Sequence, residues 1–207
     1  MGLKIINFKK NLKKFINNKN TLSNSINKIN KLNLKKTKIL ILFNYVPELN
    51  NFLYWLQQLY AESLGKNKKG FIPVVSQAPK DHHSLLQLYL DGPRNKVFYV
   101  FSSKKNMGIK TDQTFFEYDI SYLKRKKLSD IKISQKDAFI KVLKEKKIPV
   151  REILINEFNE QTIGKLFFLS IFETIALGKI MKINPYDQPA VEEVKVLSKK
   201  FLSSKKF

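Results

Sequence analysis

Four short runs rich in β-branched and aromatic residues recur along the chain: KILILF at 38–43, FIPVV at 71–75, KVFYVFS at 96–102 and VREILI at 150–155. The first, a continuous apolar run closed by Asn44 and Pro47, has the signature of a strand buried on both faces, and the other three also read as strands. Between them the period changes. Leu49, Leu53, Leu56 and Tyr60 share one face of a helix predicted from Glu48 to Gly65, and a second is predicted from Asp81 to Leu90, ended by Asp91-Gly92-Pro93. A third is expected over Ser134–Lys147, opened by a Ser134/Asp137 capping-box spacing. A long helix follows over Asn159–Lys182, and a last one over Ala190–Phe201. Strands alternating with helices in this way imply an α/β fold, a parallel sheet flanked by helices on both faces.

Residues 1–36 precede this pattern as a basic, amphipathic helical lead-in, with apolar residues such as Ile5, Phe8, Leu12 and Phe15 at helical spacing over 5–17 and a second helix over 20–33. Residues 37–184 form the α/β domain, and 185–207 a C-terminal helical arm. The net charge is +22, and residues 1–47 carry eleven lysines and no acid. Such a leader suits phosphate neutralisation on nucleic acid or anionic lipid. The stretch INNKNTLSNSINKINKLNLKK instead shows a drift toward Lys, Asn and Ile. Arginine is scarce and no aromatics interleave with the lysines as stacking platforms, so solvated surface is favoured and nucleic acid is not an expected partner.

The chain has no cysteine, which removes disulfides, thiolate nucleophiles and cysteine-ligated zinc together. Its longest apolar run, Leu166–Met181, is interrupted by Glu173 and Lys179 and falls short of the roughly 20 residues a bilayer span needs. A soluble, cytoplasmic protein without a membrane partner is expected.

In a parallel α/β sheet, ligands bind beyond the carboxyl ends of the strands. No Gly-rich phosphate loop follows any of the four runs, which leaves nucleotide cofactors without support. Gln58 and Glu62, four residues apart, share the helix face opposite the leucines. Glu62 has two possible uses there: an ion pair with Lys66 at i+4, or general-base chemistry in a cleft. His82 and His83 are the only histidines. Adjacent positions on a helix turn about 100° apart, so the two rings cannot grip one metal, and no third ligand stands at a suitable spacing. No metal is expected. One ring faces a site or fills a hydrogen-bonding niche, and spacing does not say which.

Three segments, WLQQLYAESLGKNKKGFIPV (55–74), DHHSLLQLYLDGP (81–93) and INPYDQPAVEEVK (183–195), together resemble the conserved segments of the glucose-6-phosphate isomerases of bacterial type, in order and at sensible spacing. The last is similar to that family's C-terminal signature at nearly every position. The likeness extends over nearly the whole chain and implies a sugar-isomerase (SIS-like) domain, the C-terminal half of the enzyme. It also implies reversible aldose–ketose isomerisation of glucose 6-phosphate and fructose 6-phosphate through an enediolate, in glycolysis and gluconeogenesis, with no cofactor.

By that resemblance Glu62 is the base that moves a proton between C2 and C1, and Gln58 contacts the substrate. His83 assists ring opening from across a dimer interface, and Lys195 serves ring opening and substrate contact. The chemistry suits these types: a carboxylate can take and return a proton when desolvation brings its pKa toward neutrality, and imidazole exchanges protons near pH 7. His82 stands where the family has glutamine, and Ala190 where glycine is common. The family's phosphate-holding loops and enediolate-stabilising arginine precede the point matched by Met1. The expected partners are therefore a sugar phosphate, a second copy of the chain, or an N-terminal half supplied in trans. The alternative is a non-catalytic sugar-phosphate-binding or assembly module.

Overall fold

Strand β1 (Ile39–Asn44) leads through a 3-10 turn at Pro47–Leu49 into helix α1 (Asn50–Leu64). The chain returns as strand β2 (Ile72–Gln77), passes through two short helices, α2 (Lys80–Ser84) and α3 (Leu86–Asp91), and enters strand β3 (Lys96–Ser103). Helix α4 (Leu128–Glu145), strand β4 (Val150–Ile155), helix α5 (Glu160–Met181) and helix α6 (Pro189–Ser204) complete it. This is a computed structural model, and it describes residues 36–103, 110 and 122–204, with the single positions 23, 24, 27 and 29. The lead-in helix expected at 5–17 lies outside the described residues. Within the second, positions 23, 24, 27 and 29 are helical, and Ile29 is fully buried in the core.

All four strands are parallel, in the order β2-β1-β3-β4. The two central strands divide their side chains between two cores. Leu40, Leu42, Val97, Tyr99 and Phe101 pack on one face with Leu53, Leu56 and Tyr60 of α1 and Leu166 and Leu177 of α5. Ile41, Phe43, Phe98 and Val100 pack on the other with Tyr89 of α3 and Phe139, Ile140 and Leu143 of α4. This two-sided burial is why β1 and β3 read as continuous apolar runs. Each buried Leu, Ile or Phe contributes roughly 1.5–3 kcal/mol relative to exposure. The outer strands β2 and β4 leave Ile72 and Leu154 exposed. Among the described residues no helix is long and apolar enough to cross a membrane.

Two local expectations need correcting. Helix α4 starts at Leu128, not Ser134, and its N-cap Lys127 has extended backbone and no side-chain cap. Nothing between Leu128 and Ser134 breaks a helix, so the Ser134/Asp137 spacing falls on the solvent side of a helix already under way. The helix expected over Asp81–Leu90 is broken at Leu85, whose φ of −125° is not helical. Helix α5, in contrast, begins where its sequence says: Asn159 is the N-cap and its side chain accepts from Thr162 N at 2.9 Å.

The polar interruption of α5 has a partner. Glu173, buried, takes a two-pronged contact from Arg151 of β4, with Nη1–Oε2 at 2.9 Å and Nη2–Oε1 at 2.8 Å. The guanidinium lies 5.2 Å from the centre of the Tyr99 ring. A charge inside an apolar helix run is tolerable when it is paired and hydrogen-bonded in this way.

Candidate functional site

Helix α1 carries Gln58 and Glu62 on the face away from its buried leucines. The Glu62 carboxylate is met from two sides by amides. Gln58 Nε2 donates to Oε1 at 2.9 Å, one helical turn back, and Gln188 Nε2 donates to Oε2 at 2.8 Å from the far end of the chain. Both oxygens are thereby oriented by neutral donors. The i+4 ion pair with Lys66 does not form: Lys66 Nζ is 2.8 Å from Asp187 Oδ1 and donates to Asn184 O at 2.5 Å. Glu62 and Gln188 line a cleft of about 310 Å³ with Gly65, Lys66, Ala190 and Glu193 among its walls.

The segment that brings Gln188 there is shaped by its own residues. Asn184 caps the turn, its Oδ1 accepting from Tyr186 N at 3.1 Å and its Nδ2 donating to Asp187 Oδ2 at 2.9 Å. Gly178 of α5 lets Pro185 pack close: a Cβ at this position would stand 3.1–3.2 Å from the proline ring. Lys66 then ties Asp187 to the end of α1, and its hydrogen bond lowers the Asp187 pKa from the ordinary carboxylate value. Gln188 is a site residue that spacing alone does not single out. It has no helical neighbour in the site, and its contact with Glu62 spans 126 residues.

The histidines part company. His82 turns inward, half-buried. Its Nε2 is hydrogen-bonded to the Tyr45 hydroxyl, and its ring lies edge-on to Phe43 at 5.4 Å and Phe139 at 5.3 Å. Burial lowers its pKa below the ordinary histidine value, and the charge of Asp81 only partly opposes this. His83, on the same turn, is exposed.

Glu62 and His83 lie at opposite ends of the sheet. Ile39 pairs with Ile72 and Asn44 with Gln77, so β1 and β2 start level, and α1 must carry the chain back from the finishing end of β1 to the starting end of β2. Glu62 is close to the end of that return, whereas His83 follows the finishing end of β2. Six residues of strand separate the two ends, roughly 20 Å. The Glu62 cleft is thus at the amino ends of the strands rather than the carboxyl ends where an α/β site is first sought. Lys195, on α6, is exposed. Its Nζ lies 2.6 Å from Glu192 Oε1, and it does not line the cleft. Among the described residues no group of three or more His, Asp or Glu side chains is gathered as a metal ion requires.

A four-strand parallel sheet flanked by helices, with a cleft formed where the end of α1 meets the Gln188-Pro189 segment, defines an α/β protein. The comparisons sharpen this. Over 158 residues, 76% of its length, the chain is 39% identical to the glucose-6-phosphate isomerase of Methanocaldococcus jannaschii, and it covers 39% of that protein. It is 35% identical to a probable glucose-6-phosphate isomerase of Methanococcus maripaludis, covering 86% of this chain and 40% of the relative. A crystal structure of a hypothetical protein from Thermus thermophilus superposes with a TM-score of 0.73 at 27% identity, covering 80% of this chain and 41% of that one. A glucose-6-phosphate isomerase from Chlamydia trachomatis, at 18% identity and a TM-score of 0.60, shares the fold over 81% of this chain and 35% of its own. No family model matches. The chain belongs to the glucose-6-phosphate isomerase family and spans about two fifths of the length of the curated relatives it matches.

Proposed function

We propose that this chain supplies the proton-transfer residues of an aldose–ketose isomerase that interconverts glucose 6-phosphate and fructose 6-phosphate. The observation that carries the reading is the clamp on Glu62: two amides, from Gln58 and Gln188, orient both carboxylate oxygens in a cleft while Lys66 is engaged elsewhere. Glu62 takes the proton from C2 of the open-chain aldose and returns it to C1 of the enediolate, and the C1/C2 oxygens exchange their proton in the same passage. Gln58 and Gln188 hold the base and the sugar in register. A general acid–base group of this kind is worth about 10²–10⁴-fold in rate.

His83 opens the ring. Because it lies at the other end of the sheet from Glu62 in its own chain, it serves the Glu62 cleft of a second copy, which makes the working unit a dimer. Lys195 assists, exchanging an exposed Glu192 contact worth less than about 1 kcal/mol for the sugar. The phosphate-holding loops and an arginine for the enediolate belong to the part of the relatives' length that this chain does not span, which can be added in an assay as a complementary polypeptide.

The test is conversion of fructose 6-phosphate to glucose 6-phosphate by the chain alone, by the chain mixed with that complementary polypeptide, and by the Glu62→Gln variant of each. Equal turnover for wild type and Glu62→Gln removes Glu62 from the mechanism. One second reading, a sugar-phosphate-binding module without turnover, is favoured by Lys195, which is paired with Glu192 and does not line the cleft. Calorimetric binding of fructose 6-phosphate with no conversion under any mixture selects that alternative.

A further inference from the structure

Helix α2 has five residues, too few to fix its own orientation by backbone hydrogen bonding. Something else must decide which way each of its side chains points. Asp81, the residue before the histidine pair, is buried, and its Oδ2 accepts from Ser76 Oγ at 2.7 Å and from Gln77 N at 2.7 Å. Ser76, fully buried at the end of β2, in turn accepts from the Tyr89 hydroxyl of α3 at 3.1 Å. The carboxylate thus ties together the strand before α2 and, through Ser76, the helix after it. Successive residues on a helix turn by about 100°, so with Asp81 pinned inward His83 lies about 200° around and faces outward. His82, between them, reaches Tyr45 at the end of β1.

The geometry points to Asp81 as a positioning residue for His83: the Tyr89–Ser76–Asp81 chain sets the rotation of α2 that presents His83 away from its own molecule. This rests on the reading of His83 as the ring-opening group. Asp81 touches no substrate in this account and acts only through the histidine that follows it.

Two measurements separate the positioning role from the reading it rests on. The chain has only two histidines, so its imidazole proton resonances are assigned by His82→Gln and His83→Gln alone. Nuclear Overhauser contacts between the His82 ring and the Tyr45 and Phe139 rings are expected in wild type. They are expected to disappear in Asp81→Ala and to weaken in Ser76→Ala, which keeps the carboxylate and the Gln77 N–H. If both variants keep wild-type contacts, the assignment is overturned, whatever the activity shows; if Asp81→Ala does not fold, Ser76→Ala decides. Turnover with the complementary polypeptide gives the second arm. Asp81→Ala is expected to lower kcat by about 10- to 100-fold with little change in KM, and the Asp81→Ala/His83→Gln double variant to be no slower than His83→Gln alone. Additive losses overturn the positioning role. No loss in His83→Gln itself overturns the reading of His83 and leaves the resonance result standing.

Discussion

Replacing Glu173 by alanine removes the carboxylate from the Arg151–Glu173 pair and leaves a guanidinium facing the apolar core between β4 and α5. The pair is well shielded, with side-chain exposures of 11% for Arg151 and 4% for Glu173, and its two contacts are short and parallel at 2.9 and 2.8 Å. Breaking a buried pair by deleting one partner costs about 3–5 kcal/mol, most of it the desolvated charge left behind. Against a total stability of roughly 5–15 kcal/mol, that is a large fraction. The assay is urea unfolding followed by far-ultraviolet circular dichroism, and the expected result is a midpoint far below wild type with an unchanged slope. The control is the double replacement Arg151→Met/Glu173→Leu, expected near wild type or up to about 4 kcal/mol above it, because removing both charges together leaves no buried charge without its counter-ion. A loss below about 1 kcal/mol for Glu173→Ala, the range of a surface pair, refutes the reasoning.

Phe43 sits among Tyr45, His82, Tyr89, Phe98 and Phe139 with no exposed surface, so Phe43→Ala is expected to cost about 3–5 kcal/mol in the same unfolding assay. Burial holds His82 below its ordinary pKa, so the unfolded chain takes up the proton first: His82 contributes its stability above about pH 6.5 and loses it as pH falls from there through the folded value. Unfolding midpoints between pH 7.5 and 5.5 should fall in wild type more steeply than in His82→Gln. Gly178→Val places methyl groups where Pro185 packs, and should displace the segment that carries Gln188. Fructose 6-phosphate affinity, measured by calorimetry, is expected to drop, whereas Lys141→Ala, on the exposed side of α4, should leave it unchanged.

The sheet is legible because β1 and β3 are covered on both sides, and burial on both faces forces every position to be apolar. The beginning of α5 is legible for a local reason, the Asn159 cap. Where periodicity misleads, another force decides. The Ser134/Asp137 spacing looks like a helix start only when the upstream turns, which carry Leu128, Ile131 and Ile133, are overlooked. The break at Leu85 comes from tertiary anchors at Asp81 and Tyr89 that no local pattern encodes. At the site, Gln58 and Glu62 can be paired from helix geometry, because i and i+4 share a face. The fate of Lys66 and the arrival of Gln188 cannot, since both depend on a segment over a hundred residues away. The inward turn of His82 and outward turn of His83 likewise depend on what α2 is tied to, which spacing does not contain.

The composite site makes a demanding claim about chains as pairs, since Glu62 and His83 lie at opposite ends of one sheet. Glu62→Gln and His83→Gln, each expected to be nearly inactive, are mixed in equal amounts, allowed to exchange subunits, and assayed for fructose 6-phosphate conversion with the complementary polypeptide present. In a two-fold dimer half of the mixed population is hybrid, and each hybrid has one cleft with both residues intact, so about a quarter of wild-type activity should return. A mixture that stays as inactive as its parents contradicts the account.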